Sequence, residues 1–591
     1  MSSDFKTVLI EDQRIADITS EEVFGVQSSA AQSTYQQFQA VSASNSSIVF
    51  NVQVPSENIV IDRHLLLQST LGFTVSAGGV PVGEQVFQYG LTDCVQAFPL
   101  QSLFSTVQAT INNVSVSTNY QDVFPMLMRM NDTEVLARYN SLTPSYPDNA
   151  YGVYADGVLA NNNPLSTISN NGFDDSFMPR GAFKLESINL RRYVNGVDTD
   201  DSPISTSATT NTWKIEITLK ITEPFLFLSP FVNSCPASNA GLVGINNMSM
   251  VLNVDSTCKR LFSTANTSIT GVGANAVINS YITGISLGTA TAPIGFQNTR
   301  LLFNFLSLQP EQYAKIATKN VVDYRDYPRY LTTSTNNIAL APNATTTLTS
   351  QSIQLNQVPD LILITARVPM SQQSWKNTSS FLTINGIQVN FNNQSGLLAT
   401  ATQQDLYNIS YRNGSSQSFY EFSGSAQNND NATGTVSTVP TTGSLLVLNP
   451  VNDFSLPSYL SSSSLGQYQF QFNLSITNQF PYAITPEICI ITVNSGVFAT
   501  QMGTSQIYTG ILTKEMVLRT KEQNAVPALT SDEYSRLIGG KLTNMGMGNI
   551  RKHIRLHRKM DGKEPSGGVS SGGASSGGMV GSKNRLSKHL M

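Results

Sequence analysis

The stretch "WKIEITLKIT" (213–222) places Trp213, Ile215, Ile217, Leu219 and Ile221 on one side of an extended chain and Lys214, Glu216, Thr218 and Lys220 on the other. A period of two, rich in β-branched residues, is the signature of a strand with one face in a core. "YQFQFNLSIT" (468–477), "SIVFNVQV" (47–54) and "LTINGIQVNF" (382–391) repeat it, and "SIQLNQVPDLILITARV" (352–368) does so with a break at Pro359. The pattern predicts an antiparallel, mainly β chain whose strands are separated by Asn-Gly and Pro-containing turns. Helices are expected to be few and short, at 100–109, 122–139 and 513–523.

Two pairs of segments suggest that this β body is built twice. "ATINNVSV" (109–116) is similar to "LTINGIQV" (382–389), and "IEITLKIT" (215–222) is similar to "FQFNLSIT" (470–477). Either pair alone is what two unrelated amphipathic strands would show. Together, in order and at similar spacing, they predict tandem sandwiches joined between about 290 and 340.

Composition narrows the function. Charged residues are 13% of 591, with Ser, Thr, Asn and Gln in their place; average domains carry about 25%. The amino terminus lacks the pattern of a secretory signal, and no run reaches the roughly 18 apolar residues of a membrane span. Cys94, Cys235, Cys258 and Cys489 are scattered without CxxC spacing, so reduced, buried thiols are expected rather than a disulfide framework. Sequons such as Asn343-Ala-Thr then reflect composition alone.

Catalytic patterns are missing. Gly540-Lys541 lacks the earlier glycine of a phosphate-binding loop, "GVGANA" (271–276) has no βαβ surroundings, and no Gly-x-Ser-x-Gly elbow occurs. His64 sits in a strand-like run and reads as a packed or edge side chain. His553 and His557 share a helical face without a glutamate or third ligand. The acidic pairs Asp174-Asp175 and Asp200-Asp201 read as solvated loop residues rather than a glycosidase pair. No enzyme activity, cofactor or metal is expected.

The net charge of −4 conceals two unlike objects. Residues 541–591 hold ten Lys/Arg against Asp561 and Glu564, a net +8, while the preceding 540 residues hold 25 basic and 37 acidic side chains, a net −12. Within the tail, "NIRKHIRLHRKM" is a basic, partly helical patch containing Arg551, Lys552, Arg555, Arg558 and Lys559. A Gly/Ser-rich linker and a second small basic patch follow. A scaffold-like arm, sequence-independent contact with nucleic acid, and a disordered solubilising tail all fit this composition.

An ordered series of segments carries a family resemblance over most of residues 45–545. It comprises "VIDRHLLLQ" (60–68), "AFPLQSL" (97–103), "SYPDNAYGVYADGVLANNNPL" (145–165), "MPRGAF" (178–183), "EPFLFLSPF" (223–231), "LAPNATTTLTSQSIQLNQVP" (340–359) and "LTKEMVLRT" (512–520). The chain thereby resembles the major capsid protein of virophages and related polinton-like viruses.

The resemblance implies a double jelly-roll, that is, two tandem eight-stranded antiparallel sandwiches with a few short helices and a basic, partly disordered C-terminal tail. The expected organisation is an N-terminal arm (1–44), a first jelly roll (45–295), a second (296–510, with a linker at about 296–340), a helical segment (511–540) and the tail (541–591). The implied product is a homotrimeric, pseudo-hexagonal capsomer tiling an icosahedral virion shell around double-stranded DNA, with a penton protein at the fivefold vertices. The alternative from another class is a carbohydrate-binding or adhesive β-sandwich spike.

Related viruses encode a cysteine protease that cuts after an aliphatic residue, any residue, and Gly-Gly. Leu537-Ile538-Gly539-Gly540 fits, with the cut before Lys541. Residues without Cβ atoms let an extended backbone lie deep in a protease groove. The same glycines also suit a helix C-cap, since Thr530 and Glu533 resemble a capping box.

Overall fold

The computed structural model describes residues 32–522 apart from 57, 82–92, 132–187, 195–196, 199–209, 232–239, 265–281, 309–318, 334–338, 376–379, 431–434, 458 and 481. The expected protease site (Leu537 to Lys541), the basic patch (Arg551 to Lys559), "GVGANA" and both acidic pairs lie outside the described residues.

The first sandwich uses β1 (Gln32–Gln39), β2 (Ser47–Gln53), β3 (Leu66–Pro81), β4 (Phe104–Ile111), β5 (Val114–Thr118), β6 (Thr210–Pro224), β7 (Asn247–Val254) and β8 (Phe296–Ser307). One sheet runs β1-β8-β3-β6, with Ile188–Val194 beyond β6, and the facing sheet runs β2-β7-β4-β5. The alternation seen in sequence is what fills the space between them. Trp213, Ile215, Ile217, Leu219 and Ile221 are all buried, as are Ile48, Phe50, Val52, Met248, Met250 and Leu252. Each such side chain contributes about 1.5–3 kcal/mol.

The second sandwich uses β9 (Asn320–Asp326), β10 (Arg329–Thr333), β11 (Thr345–Thr349), β12 (Ile353–Gln357), β13 (Leu361–Arg367), β14 (Thr383–Phe391), β15 (Gln394–Leu397), β16 (Leu446–Leu448), β17 (Leu465–Thr477) and β18 (Glu487–Gln501). β18 pairs with β9, β10 and β13, and β13 with β16; the facing sheet sets β11 and β12 beside β17, then β14 and β15. With β9–β10 and β11–β12 each read as one interrupted strand, both units have the same spatial order of strands. The duplication and the double jelly-roll are therefore present.

The residue correspondences behind that expectation are different from those the sequence suggests. Residues 109–116 span the β4–β5 turn, whereas 382–389 run into and along the single strand β14. Likewise 215–222 belong to β6, while 470–477 belong to β17, whose counterpart by pairing is β7. The true equivalence is between two turns, Asn112-Asn113 and Asn392-Asn393. Asn112 and Asn392 have φ of 52° and 51°, a left-handed conformation that asparagine tolerates. The Asn112 N–H donates to Asn247 O at 2.9 Å and that of Asn392 to Gln469 O at 2.8 Å. Their Oδ1 atoms accept from Asn246 N at 2.9 Å and Gln469 N at 2.7 Å.

Boundaries shift as well. β8 pairs with β1 and β3 and buries Phe303 and Phe305 in the first core, so the first unit extends through Ser307 rather than stopping at 295. β1 lies inside the segment expected to be an arm. Of the expected helix 100–109, only α1 (Pro99–Leu103) is helical, because the alternating Phe104–Ile111 pairs with β7 instead. The expected helix from 122 appears as α2 (Tyr120–Leu127) followed by a 3-10 turn at Met128–Met130, and residues 132–139 lie outside the described set. Lys514–Glu522 is helical as expected. Two further helices, α3 (Gln403–Arg412) and α4 (Phe419–Ser423), each begin with a capping box, Thr402 with Asp405 and Ser418 with Glu421. Both boxes are legible in sequence and were not read there.

Candidate functional site: the seam between the sandwiches

A strand read from its own sandwich should bury one face. All seven residues of β13 are buried. Its inward residues Ile362, Ile364 and Ala366 join the second core, while Leu361 and Leu363 join the first unit's cluster together with Leu445, Val447, Ile491 and Val493. The outward face of the second sandwich's β13–β18 sheet is thus roofed by the first sandwich, as in sheets covered on both sides.

α2 contributes Asp122 and Met126 to the contact, and charge is buried beside it. Arg367 Nη2 donates to Asp122 Oδ1 at 2.5 Å, and Arg329 Nη1 donates to Asp122 Oδ2. Arg367 also donates to Glu487 Oε1, from Nε at 3.0 Å and from Nη2 at 2.9 Å. Burial works against the Arg367 cation, but Cys489, Asp122 and Glu487 outweigh it and raise its pKa. Arg260 donates to Phe104 O at 2.8 Å and Tyr120 O at 3.3 Å; burial, with the nearby Arg367, pulls its pKa down to about 10.

Further contacts tie the seam along its length. Arg63 Nη1 donates to Asp323 Oδ1 at 3.0 Å and Pro230 O at 3.2 Å. Arg325 N donates to Ser229 Oγ at 3.0 Å. The Arg129 guanidinium lies 4.7 Å from the Phe381 ring centre, and its carbonyl accepts from Ser416. At another point Ser505 N donates to Asn113 Oδ1 at 2.8 Å, beside the Asn112-Asn113 turn.

Three of the segments that carry the family resemblance converge here. Glu223 of "EPFLFLSPF" accepts from the Leu100 and Gln101 N–H groups of "AFPLQSL", both at 3.1 Å. Gln101 returns a bond to Pro224 O at 2.6 Å and accepts from Leu226 N at 2.9 Å. Tyr120 at the start of α2 donates to Leu226 O. Burial pushes the Glu223 carboxyl up to about 8, against the pull of its two backbone donors and Gln101, so it holds its proton at neutral pH. Arg63 comes from "VIDRHLLLQ". That segment is not one strand: it turns between Ile61 and Leu66, leaving His64 half-exposed with Nδ1 2.8 Å from Asp62 Oδ1.

The arrangement welds two sandwiches into one body at a set angle, since buried charges left unpaired by any other docking would be costly. Sequence reading missed Asp122, Arg329, Arg367 and Glu487. The available signal was β13 itself, apolar at both parities from Leu361 to Ile364. Cys258 and Cys489 are buried free thiols whose pKa burial pushes up to about 12.

Comparison with known proteins agrees with this architecture. Residues 3–306 match the model of the Sputnik virophage major capsid protein first domain, and 327–496 match the major capsid protein V20 C-terminal domain. The V20 capsid protein of Sputnik virophage is 26% identical over 545 residues, covering 90% of this chain and 84% of that one. The fold is similar to the Sputnik virophage structure solved by electron cryo-microscopy, with a TM-score of 0.73 at 24% identity over 91% of this chain and 99% of that one. It is also similar to the mavirus major capsid protein, at 0.63 and 14% over 88% and 99%. The chain belongs to the Sputnik virophage major capsid protein family and is a double jelly-roll component of a virion shell that assembles with itself.

Proposed function

We propose that three copies of this chain close into a pseudo-hexagonal capsomer and that these capsomers tile a shell around double-stranded DNA, with a separate penton protein at the fivefold vertices. The observation that carries this reading is the seam: it makes two like sandwiches one body, so three bodies supply six similar walls for a sixfold lattice position. Closed symmetry also removes exposed sheet edges.

In this reading residues 1–540 stay in the shell and 541–591 serve assembly. A virus-encoded cysteine protease recognises Leu537, Ile538, Gly539 and Gly540 and cuts before Lys541. The abrupt charge change at that point and the adjacent glycines support it. Mass spectrometry of mature particles is expected to find this chain as the most abundant protein, ending at Gly540. A chain ending at Met591 would contradict processing, and absence from the particle would contradict the shell role.

Before removal, Arg551, Lys552, Arg555, Arg558 and Lys559 contact DNA phosphates without reading sequence. The uncut chain should then bind DNA in a manner that weakens with added salt. Equal binding by residues 1–540 alone would sink that role.

A further inference from the structure

The chain leaves the second sandwich through a short set of backbone bonds. After the strand Thr504–Thr509, Gly510 passes so close to the body that a Cβ there would come within 2.7 Å of Leu465 and 2.8 Å of Gln357. Leu512 N then donates to Ser463 O at 3.2 Å, and Leu465 N donates to Leu512 O at 2.9 Å. Beyond this point most residues are exposed, Met516 and Leu518 of the Lys514–Glu522 helix among them. Lys514 Nζ lies 4.5 Å from the ring centre of Tyr459, in the same loop as Ser463.

The loop that grips Leu512 is itself held on its other side. Ser463 and Ser464 are buried, and Ser463 has a φ of 65°, a left-handed conformation that is costly for a serine. Ser463 N donates to Val358 O at 2.9 Å, and Val358 N donates to Ser464 O at 3.0 Å. Two residues on, the partly buried Asp360 completes the arrangement. Ser495 Oγ of β18 donates to Asp360 Oδ1 at 3.1 Å and lies 2.6 Å from Ser463 Oγ. A run of hydroxyls therefore connects a carboxyl to the residue whose carbonyl holds Leu512.

We infer that the loop at Ser461–Ser464 is a proton-operated clasp on the C-terminal segment, tight while Asp360 carries a proton and looser once that proton has left. The direction of the hydroxyl run depends on the proton. An ionised carboxylate only accepts, so Ser495 must donate to it and Ser463 must donate to Ser495. A protonated carboxyl donates to Ser495, and Ser463 then turns to Ser495 O, 3.5 Å away. Burial separates the two states further. It pushes the carboxyl from 3.8 up to about 6, against the pull of Arg325 on β9, of Ser495 and of Ser462. The neighbouring acids on β9 are engaged elsewhere, Asp323 with Arg63 and Asp326 with the Tyr327 N–H. An opened loop wets Asp360 and returns it to the ordinary carboxylate range. Between pH 3.8 and about 6 the closed clasp keeps a proton that the open one releases, so rising pH favours opening. The segment upstream of Gly539-Gly540 is thus held more loosely at neutral pH than in acid. Its bearing on processing rests on the cut proposed above; the clasp does not, and its test needs no protease.

That test is hydrogen–deuterium exchange of the full chain at pH 4.5 and 7.5, corrected for the intrinsic rate at each pH. Protection in peptides spanning 459–465 and 510–513 is expected to be about 20-fold lower at pH 7.5. Asp360→Asn should abolish this fall, with peptides at 47–54 exchanging alike in both proteins. Equal protection at the two pH values, or a fall that persists in Asp360→Asn, would overturn the inference. A second variant, Ser495→Ala, keeps the carboxyl but interrupts the hydroxyl run, and should shrink the fall at Leu512 several-fold. A fall of full size in that variant would also overturn the clasp.

Discussion

Replacing Arg367 with methionine is expected to lower the stability of the chain by about 3–5 kcal/mol, read from guanidinium unfolding. The reason is what stays behind rather than the bonds lost. Asp122 and Glu487 are both buried, and Arg367 bridges them across the seam. Asp122 would keep Arg329, whose side chain is 35% exposed, and Glu487 would lose the guanidinium that donates to it and balances its charge. Neutralising the acids together with the base, as Asp122→Asn, Arg367→Met and Glu487→Gln, should recover much of the loss, since no charge is then stranded under α2. If the single variant costs no more than an ordinary surface change, the network does not hold the seam.

Stability should fall as pH rises from about 4.5 to about 8, and Glu223→Gln should remove the Glu223 part of that slope. The folded carboxyl titrates near 8, against 4.5 for an ordinary glutamate. Between those values the folded chain keeps a proton that the unfolded chain has released, so each added pH unit disfavours folding. Below 4.5 both states are protonated and above 8 neither is, so the effect is flat outside the window. Over the whole window it amounts to something on the order of 5 kcal/mol. Asp360, pushed up to about 6 chiefly by burial, contributes in the same direction at lower pH, so the difference between wild type and variant isolates Glu223. At pH 5 the variant should be the less stable, because an amide cannot accept from both the Leu100 and Gln101 N–H groups. Its deficit should shrink or reverse by pH 8.5. Parallel pH profiles would show that Glu223 does not hold its proton in the fold.

Much of the fold was legible because a period of two decides which side chains meet. The faces of β6 and β17 fall where alternation puts them. Residues 104–109 were misread as helix, since a short apolar run carries no arbiter between helix and strand except its partner, here β7. The tandem architecture emerged from two similarities that pair non-equivalent strands. The genuine repeat, an Asn-Asn turn in a left-handed conformation, is only two residues long and is visible through its geometry. The seam was hidden for a different reason. Asp122 and Arg367 are 245 residues apart, and no local pattern specifies which acid meets which base. Only the apolar character of β13 at both parities announces that something covers it. The family segments did mark the place: Arg63, Gln101 and Glu223 all lie within them and all end up buried beside the seam.

One chain forms a two-sandwich body, and its exposed walls are expected to close with two further copies. Light-scattering chromatography of the purified chain measures that closure most directly. Three chains per particle, unchanged on dilution, are expected; a monomer that persists at every concentration would contradict it.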